Sequence, residues 1–372
     1  MKALVIGGTG PSGPYIVNGL LRRGYDVTIL HGGQHEAEFQ GPVEHIHTDP
    51  HFAETLNPAL LNRRFDLTVA TYGRIRIIAE VMKGKTERLL TVSGGAYAPD
   101  TDRRWGPMGR PAMLVESSSV LADDEHGSRF FHLIWLTEQA VLQAHSEGHY
   151  QATILRYPTI YGACAPASME WSVVRRLLDG RTKIVVGDGG AAVRTRADGE
   201  NAAHAVLLAV DTPAVAAGQI YNVGEDVVFS ERQRIEHIIR VLGANCAIVD
   251  MPHELARRAS QVLAVRGTRL MDTSRMRAEL GYRDVTAPAD AIERVARWLV
   301  AHPFARGTEG ERQLADPFDY AAEDELIRVY EEGTARALRV SFPDIEAGHM
   351  YRHPKKPGET WRPVAATRKE DF

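Results

Sequence analysis

Cysteine is almost missing from this sequence. Cys164 and Cys246 are the only two among 372 residues, and they lie far apart. A disulfide framework is therefore not expected, and sparse thiols suit a reducing cytoplasm. Long apolar runs are missing too. No stretch approaches the ~20 residues of a membrane span. The opening run Ala3-Leu4-Val5-Ile6 is too short for a signal peptide and leads straight into glycines. Nor is there a surplus of positive charge. Lys and Arg number 44 against 48 Asp and Glu, a formal net charge of −4, so neither nucleic acid nor an anionic membrane is an expected partner. Internal repeats, low-complexity tracts and the hydrolase signature Gly-x-Ser-x-Gly are absent. Two local gaps stand out: no lysine lies between Lys85 and Lys183, and no tyrosine between Tyr97 and Tyr150.

What is present begins at the first residues. Lys2 to Ile6 reads as a short buried strand, followed by Gly7-Gly8-Thr9-Gly10-Pro11-Ser12-Gly13. Tyr15 to Arg23 has helical periodicity, with Ile16, Val17, Leu20 and Leu21 on one side, and Gly24 suits its C-cap. Tyr25 to Leu30 reads as a second strand. The spacing Gly7-x-x-Gly10-x-x-Gly13 has a physical purpose in this βαβ context. One glycine makes a tight turn, one lets the backbone approach a pyrophosphate, and one permits close packing, while the helix N-terminus offers amides and a favourable dipole. Gly7, Thr9, Gly10, Pro11, Ser12 and Gly13 are therefore the expected dinucleotide cradle. The second strand should end in a residue that reads the adenosine ribose, acidic for NAD or Arg for NADP. His31 stands there, so the choice between NAD and NADP stays open. Asp49, after the strand-like Val43 to Thr48, is a plausible adenine contact.

Five later segments, in matching order, resemble the extended short-chain dehydrogenase/reductases, the NAD-dependent epimerase/dehydratase group. They are Leu89-Leu90-Thr91-Val92-Ser93-Gly94-Gly95-Ala96-Tyr97, Ile154 to Gly162 with Arg156 and Tyr161, Gly187-Asp188-Gly189 continuing through Arg196 to Ala205, Tyr221-Asn222-Val223-Gly224, and Asp272 through Leu280-Gly281-Tyr282. The resemblance runs to about residue 302. It implies an α/β fold, a doubly wound Rossmann-like parallel sheet with a smaller C-terminal substrate-binding region. The expected division is a dinucleotide-binding core over 1–162, a mixed segment over 163–302, and a C-terminal helix and extended tail over 303–372. Within the mixed segment, 163–190 and 225–285 form the substrate region, and 191–224 returns to the core.

The family's chemistry uses a Tyr and a Lys four residues apart on one helix face, usually followed by a Glu four further on. With Glu138 as the anchor, Phe130 takes the Tyr position and Ile134 the Lys position. The two composition gaps mean that no shift of register restores the pair. Neither side chain transfers protons, so a contribution of roughly 10²–10⁴-fold from acid–base catalysis is missing on this face. The resemblance leaves Ser93, on the family's active-site Ser/Thr position, and Tyr97 as catalytic candidates. It sets Thr71 and Tyr157 beside the coenzyme, and Tyr72, Phe130, Ile134, Glu170, Trp171, Arg194 and Arg196 around the substrate. His132 points away from Phe130, about 200° around the helix, and reads as structural.

Phe130, Phe131, Leu133, Ile134, Trp135, Leu136 and Val141 cover almost the whole circumference of this helix, which therefore needs cover on more than one side. The resemblance makes homodimerisation through the 128–146 helix the expected solution. His45-x-His47, with His51 nearby, lacks a cysteine or acidic cluster to complete a ligand set, so no metal is expected. The functional expectation is an NAD(P)-dependent oxidoreductase-like enzyme of atypical mechanism, acting on a small, apolar organic molecule. The alternatives are a redox-neutral lyase or isomerase on the same fold, and a non-catalytic dinucleotide sensor similar to the NmrA-like relatives.

Overall fold

The computed structural model describes residues 1–33, 36–95, 113–117, 129–165, 168–343 and 356–358. The chain divides into two compact units, Met1–Tyr320 and Ala321–Phe372.

The first unit starts with β1 (Lys2–Ile6), α1 (Gly13–Arg22), β2 (Asp26–His31) and β3 (Glu44–His47), then α2 (Ala53–Ala59), β4 (Phe65–Ala70), α3 (Ile75–Val81) and β5 (Thr86–Gly94). After the two-residue strand β6 (Met113–Leu114) come α4 (Arg129–Ser146), β7 (Gln151–Tyr157) and β8 (Thr159–Tyr161). Seven strands form one parallel sheet in the order β11-β7-β5-β4-β1-β2-β3, with β11 (Gln219–Asn222) at its far edge. Helices cover both faces, which is why β1 is buried along Ala3–Ile6 and reads as a continuous apolar run rather than an alternation. On one face α1 lies on α6 (Gly199–Asp211); on the other, α3 lies on α4. Gly19 sits so close to Leu207 that a methyl group there would fall 2.3 Å from the leucine Cδ1.

A smaller lobe grows from the carboxyl side of the sheet. It holds α5 (Met169–Leu178), β9 (Lys183–Gly187), α8 (Glu231–Val241), β12 (Ala247–Met251), α9 (His253–Ala259), β13 (Leu270–Met271), α11 (Pro288–Ala301) and α12 (Glu309–Arg312), while β10 (Arg196–Asp198) leads into α6, and α7 (Pro213–Ala216) and α10 (Ser274–Leu280) pack on α6 and β11. Its strands pair only in twos: β8 with β10, β9 with β12, and β6 with β13. Helices α5, α8 and α11 enclose an apolar cluster around Trp171, Ile184, Ile235, Ile292 and Leu299. The start of α8 is written locally: Ser230 and Gln233 form a reciprocal capping box. After α5 and β9, the chain returns through α6, which packs on α1, to β11, which pairs with β7 of the main sheet. The second unit contains most of α13 (Tyr320–Ala337). Among the described residues, no helix is long and apolar enough to cross a membrane.

Candidate functional site

The sheet order reverses between β1 and β4, the switch point where doubly wound folds bind ligands at the carboxyl ends of their strands. The glycine turn lies there. Gly7 and Gly8 hold φ of +107° and +91°, which suits glycine. A Cβ on Gly7 would fall 2.3 Å from the Thr71 hydroxyl oxygen, and one on Gly13 would fall 2.3 Å from the Gly8 carbonyl carbon. Thr71 follows β4 and donates its hydroxyl to the Ile6 carbonyl at 3.2 Å, so the two loops meet. Gly10 alone in this turn faces open space, with no atom within 4 Å of a Cβ added there. The turn is thus closed beneath and open above, the form a pyrophosphate cradle needs. Pro11 and Pro14 carry no amide hydrogen, so the other residues of the turn and of the ten-residue α1 must supply the donors. Beneath the turn, Pro11 touches the start of α6: a Cβ on Gly199 would fall 2.1 Å from the Pro11 carbonyl oxygen. Tyr157 is buried next to Ser12 and donates to the Ala202 carbonyl at 3.1 Å.

The substrate candidate Tyr72 and the coenzyme candidate Asp49 follow the carboxyl ends of β4 and β3, and the coenzyme candidate His31 closes β2. Tyr72 is 56% exposed and meets His51 edge-on, with ring centroids 5.1 Å apart. Asp49 accepts from the His51 amide at 2.9 Å and lies 2.7 Å from its Nδ1. His31 is buried at the end of β2, with Nε2 3.2 Å from Nδ1 of His45.

Helix α4 carries the expected pairless face. Phe130 is 65% exposed and edge-on to Phe131, and the Ile134 Cδ1 would lie 3.1 Å from a Cβ built on Gly94, so Ile134 closes against the end of β5. One turn on, Glu138 is buried and bonds to Arg156 through both carboxylate oxygens, at 2.9 and 2.7 Å. Its Oε1 also accepts from Ser93 at 2.7 Å. The Ser93 hydroxyl is thus directed into a buried ion pair in this structure. A carboxylate out of water needs every available donor, and Ser93 is one of them. His132 stacks on Trp135, with centroids 5.9 Å apart. Tyr97 lies outside the described residues.

In the lobe, Glu170, Trp171 and Arg196 are buried, and Glu170 and Arg196 line a narrow cavity of about 20 Å³ together with Glu231 and Arg234. Glu170 pairs with Arg234 at 2.6 Å, and Arg196 donates to both oxygens of Glu231 at 2.7 Å. Burial works to raise the Glu170 carboxyl, but the Arg234 and Arg196 guanidiniums outweigh it and hold it at about 2. Trp171 donates to Glu311 at 3.3 Å. Arg194 donates to the Arg266 carbonyl at 2.8 Å. These side chains tie the lobe together because a charge placed in an apolar interior must find its partner there. Sequence reasoning passed over Glu225. Its Oε1 accepts from the Tyr161 hydroxyl at 2.7 Å and from the Asp198 amide at 2.9 Å, and burial pushes the carboxyl up to about 7. Nothing in a lone Glu after a glycine signals that burial. A cavity of about 610 Å³ lies at the amino ends of β4, β5 and β7, away from the glycine turn.

Residues 135–224 match the model of the NAD dependent epimerase/dehydratase family. A search of curated proteins finds no match. Among solved structures, dTDP-glucose 4,6-dehydratase of Streptomyces venezuelae with NAD and TYD bound is similar at 21% identity, covering 81% of this chain and 97% of that one, with a TM-score of 0.62. UDP-glucose 4-epimerase of Thermotoga maritima with UDP-glucose is similar at 16%, covering 81% and 99%, with a TM-score of 0.65. dTDP-glucose 4,6-dehydratase of Bacillus anthracis in complex with NAD shares 15%, over 84% and 99%, with a TM-score of 0.63. At these identities the likeness is one of fold. The chain has the fold of the extended short-chain dehydrogenase/reductases, and its segment 135–224 matches the NAD-dependent epimerase/dehydratase family.

Proposed function

We propose that the chain binds a nicotinamide dinucleotide, NAD or NADP, over its glycine turn and acts with it on a small, apolar organic molecule. The observation that carries this reading is the turn itself: Gly7 and Gly13 are sealed against Thr71 and Gly8, while Gly10 stays open. The solved relatives bound to NAD, and the family match, support the same coenzyme class. When bound, the nicotinamide would supply or accept a hydride. The chain's own contribution differs from the usual one. Phe130 and Ile134 make their side of the crevice apolar and hold no proton, so the proton of a carbonyl or enone reduction comes from water or from a group on another element. The apolar floor favours a hydrophobic or aromatic substrate over a nucleotide sugar.

The reading extends to a homodimer through the 128–146 helix. Its support is the open apolar face of α4, where Phe130 is exposed and residues 131–137 are half-buried. A second reading, a dinucleotide sensor without turnover, draws on the Ser93 hydroxyl being bonded to Glu138.

Calorimetry with NAD, NADH, NADP and NADPH tests the first step. Uptake that Gly10→Ala weakens supports it, and no uptake of any of the four overturns it. A screen of carbonyl and enone compounds for loss of nicotinamide absorbance then separates enzyme from sensor. Tight binding of UDP- or dTDP-sugars would instead favour a redox-neutral isomerase or lyase.

A further inference from the structure

Four side chains converge at the edge of the sheet, outside the glycine turn. β2 and β3 pair in parallel with Ile29 opposite His45 and His31 opposite His47, so the three histidines share one face. Glu36, from the connection between these strands, reaches back over them. His31 Nε2 lies 3.2 Å from His45 Nδ1. The Glu36 carboxylate lies 3.4 Å from His45 Nδ1, 3.2 Å from His47 Nε2 and 3.9 Å from His31 Nε2. All four ligand atoms fall within 4.8 Å of one another.

From these contacts we infer that His31, Glu36, His45 and His47 form a binding site for a divalent transition metal of the zinc class. Four ligands at the ~2.0–2.1 Å bond lengths of tetrahedral zinc stand about 3.3 Å apart, and the contacts scatter around that value. The three rings meet edge-on, at interplanar angles of 63° to 78°. Three imidazoles with one carboxylate suit zinc and its neighbours, whereas magnesium and calcium prefer oxygen shells. The Glu36 carboxylate also opposes the other natural occupant of this place, a phosphate group at the end of β2.

Ligation through His31 Nε2 places that ring's proton on Nδ1, so the long 3.3 Å hydrogen bond from the Gly33 amide is given up. With four protein ligands the site has no open position for a reacting water. Its role is to fasten the β2–β3 connection where the fold's ribose reader would otherwise stand.

The test uses the full, untagged chain, stripped with a chelator and titrated with Co(II) and then Zn(II). The expected result is one ion per chain, intense visible bands of tetrahedral Co(II), and displacement of Co(II) by zinc. His47→Ala and His45→Ala should each weaken binding by ~100-fold or more, while His51→Ala, beside the cluster but bonded to Asp49, leaves it unchanged. Zinc should raise the Tm of the parent chain and of His51→Ala but not of His47→Ala, a readout that does not depend on any enzymatic activity. Absence of stoichiometric uptake, an octahedral Co(II) spectrum, or binding that survives His45→Ala and His47→Ala would each overturn the assignment.

Discussion

Ser93 donates its hydroxyl hydrogen to Glu138 at 2.7 Å, inside the ion pair that Glu138 makes with Arg156. β5, α4 and β7 are thus joined by one polar cluster in which all three residues are buried. Ser93→Ala should lower stability by about 1 kcal/mol, the usual worth of one hydrogen bond, and leave kcat nearly unchanged. Glu138→Ala strands a buried guanidinium and should cost about 3–5 kcal/mol. Urea unfolding of the two variants, with turnover of Ser93→Ala, checks both. A large loss of kcat in stable Ser93→Ala would return the residue to the chemistry.

Two glycines in one turn should respond oppositely to the same added methyl. Gly10→Ala meets no neighbour, so its unfolding should stay within about 0.5 kcal/mol of the parent while coenzyme affinity falls. Gly13→Ala meets the Gly8 backbone at 2.3 Å and should lose about 1–3 kcal/mol of stability along with the binding. Calorimetry beside thermal unfolding separates the two effects.

Phe130 is open to solvent and Ile134 abuts the end of β5. The double variant Phe130→Tyr, Ile134→Lys should therefore install a proton-transfer pair on the face that lacks one. If proton transfer limits turnover, kcat should rise by as much as ~10²–10⁴-fold, with a new titration in its pH profile. An unchanged rate would mean that another group already handles the proton.

The carboxyl of Glu225 is pushed up to about 7, from an ordinary 4.5, mainly by burial. A raised folded-state value means that the native protein holds this proton more tightly than the unfolded chain does. Its stabilising contribution is full below about 4.5 and is lost as pH rises through about 7. At about 1.4 kcal/mol per unit the loss is roughly 3 kcal/mol. Glu225→Gln keeps an oxygen for the Tyr161 and Asp198 donors and cannot ionise. It should match the parent near pH 4.5 and exceed it in stability at pH 8, as read from urea midpoints across that range.

The opening strand, glycine turn, helix and strand were legible because their signals are local. The strand Lys2–Ile6 is as expected, the helix read from Tyr15 begins at Gly13, and the strand read from Tyr25 begins at Asp26. The helix expected within 303–372 spans Tyr320–Ala337. Spacing from Glu138 was enough to align Phe130 and Ile134 on one helix face, since residues four apart are neighbours there. The polar residues of the lobe were not legible in the same way. Glu170, Trp171 and Arg196 have the composition of a pocket lining, and only their partners Arg234, Glu311 and Glu231, each at least 35 residues away, make them interior groups.

By itself, then, the chain of residues determined the glycine turn, the order of strands and helices, and the absence of a Tyr–Lys pair. Each of these depends on short-range spacing or on composition alone. Tertiary structure decided which polar groups meet. Strand register brings His31 to His45 across fourteen positions, the β2–β3 connection lays Glu36 over both, and packing of α4 on β5 turns Ser93 towards Glu138. Such encounters depend on long-range pairing and on burial, which raises the worth of each contact by removing the competing water.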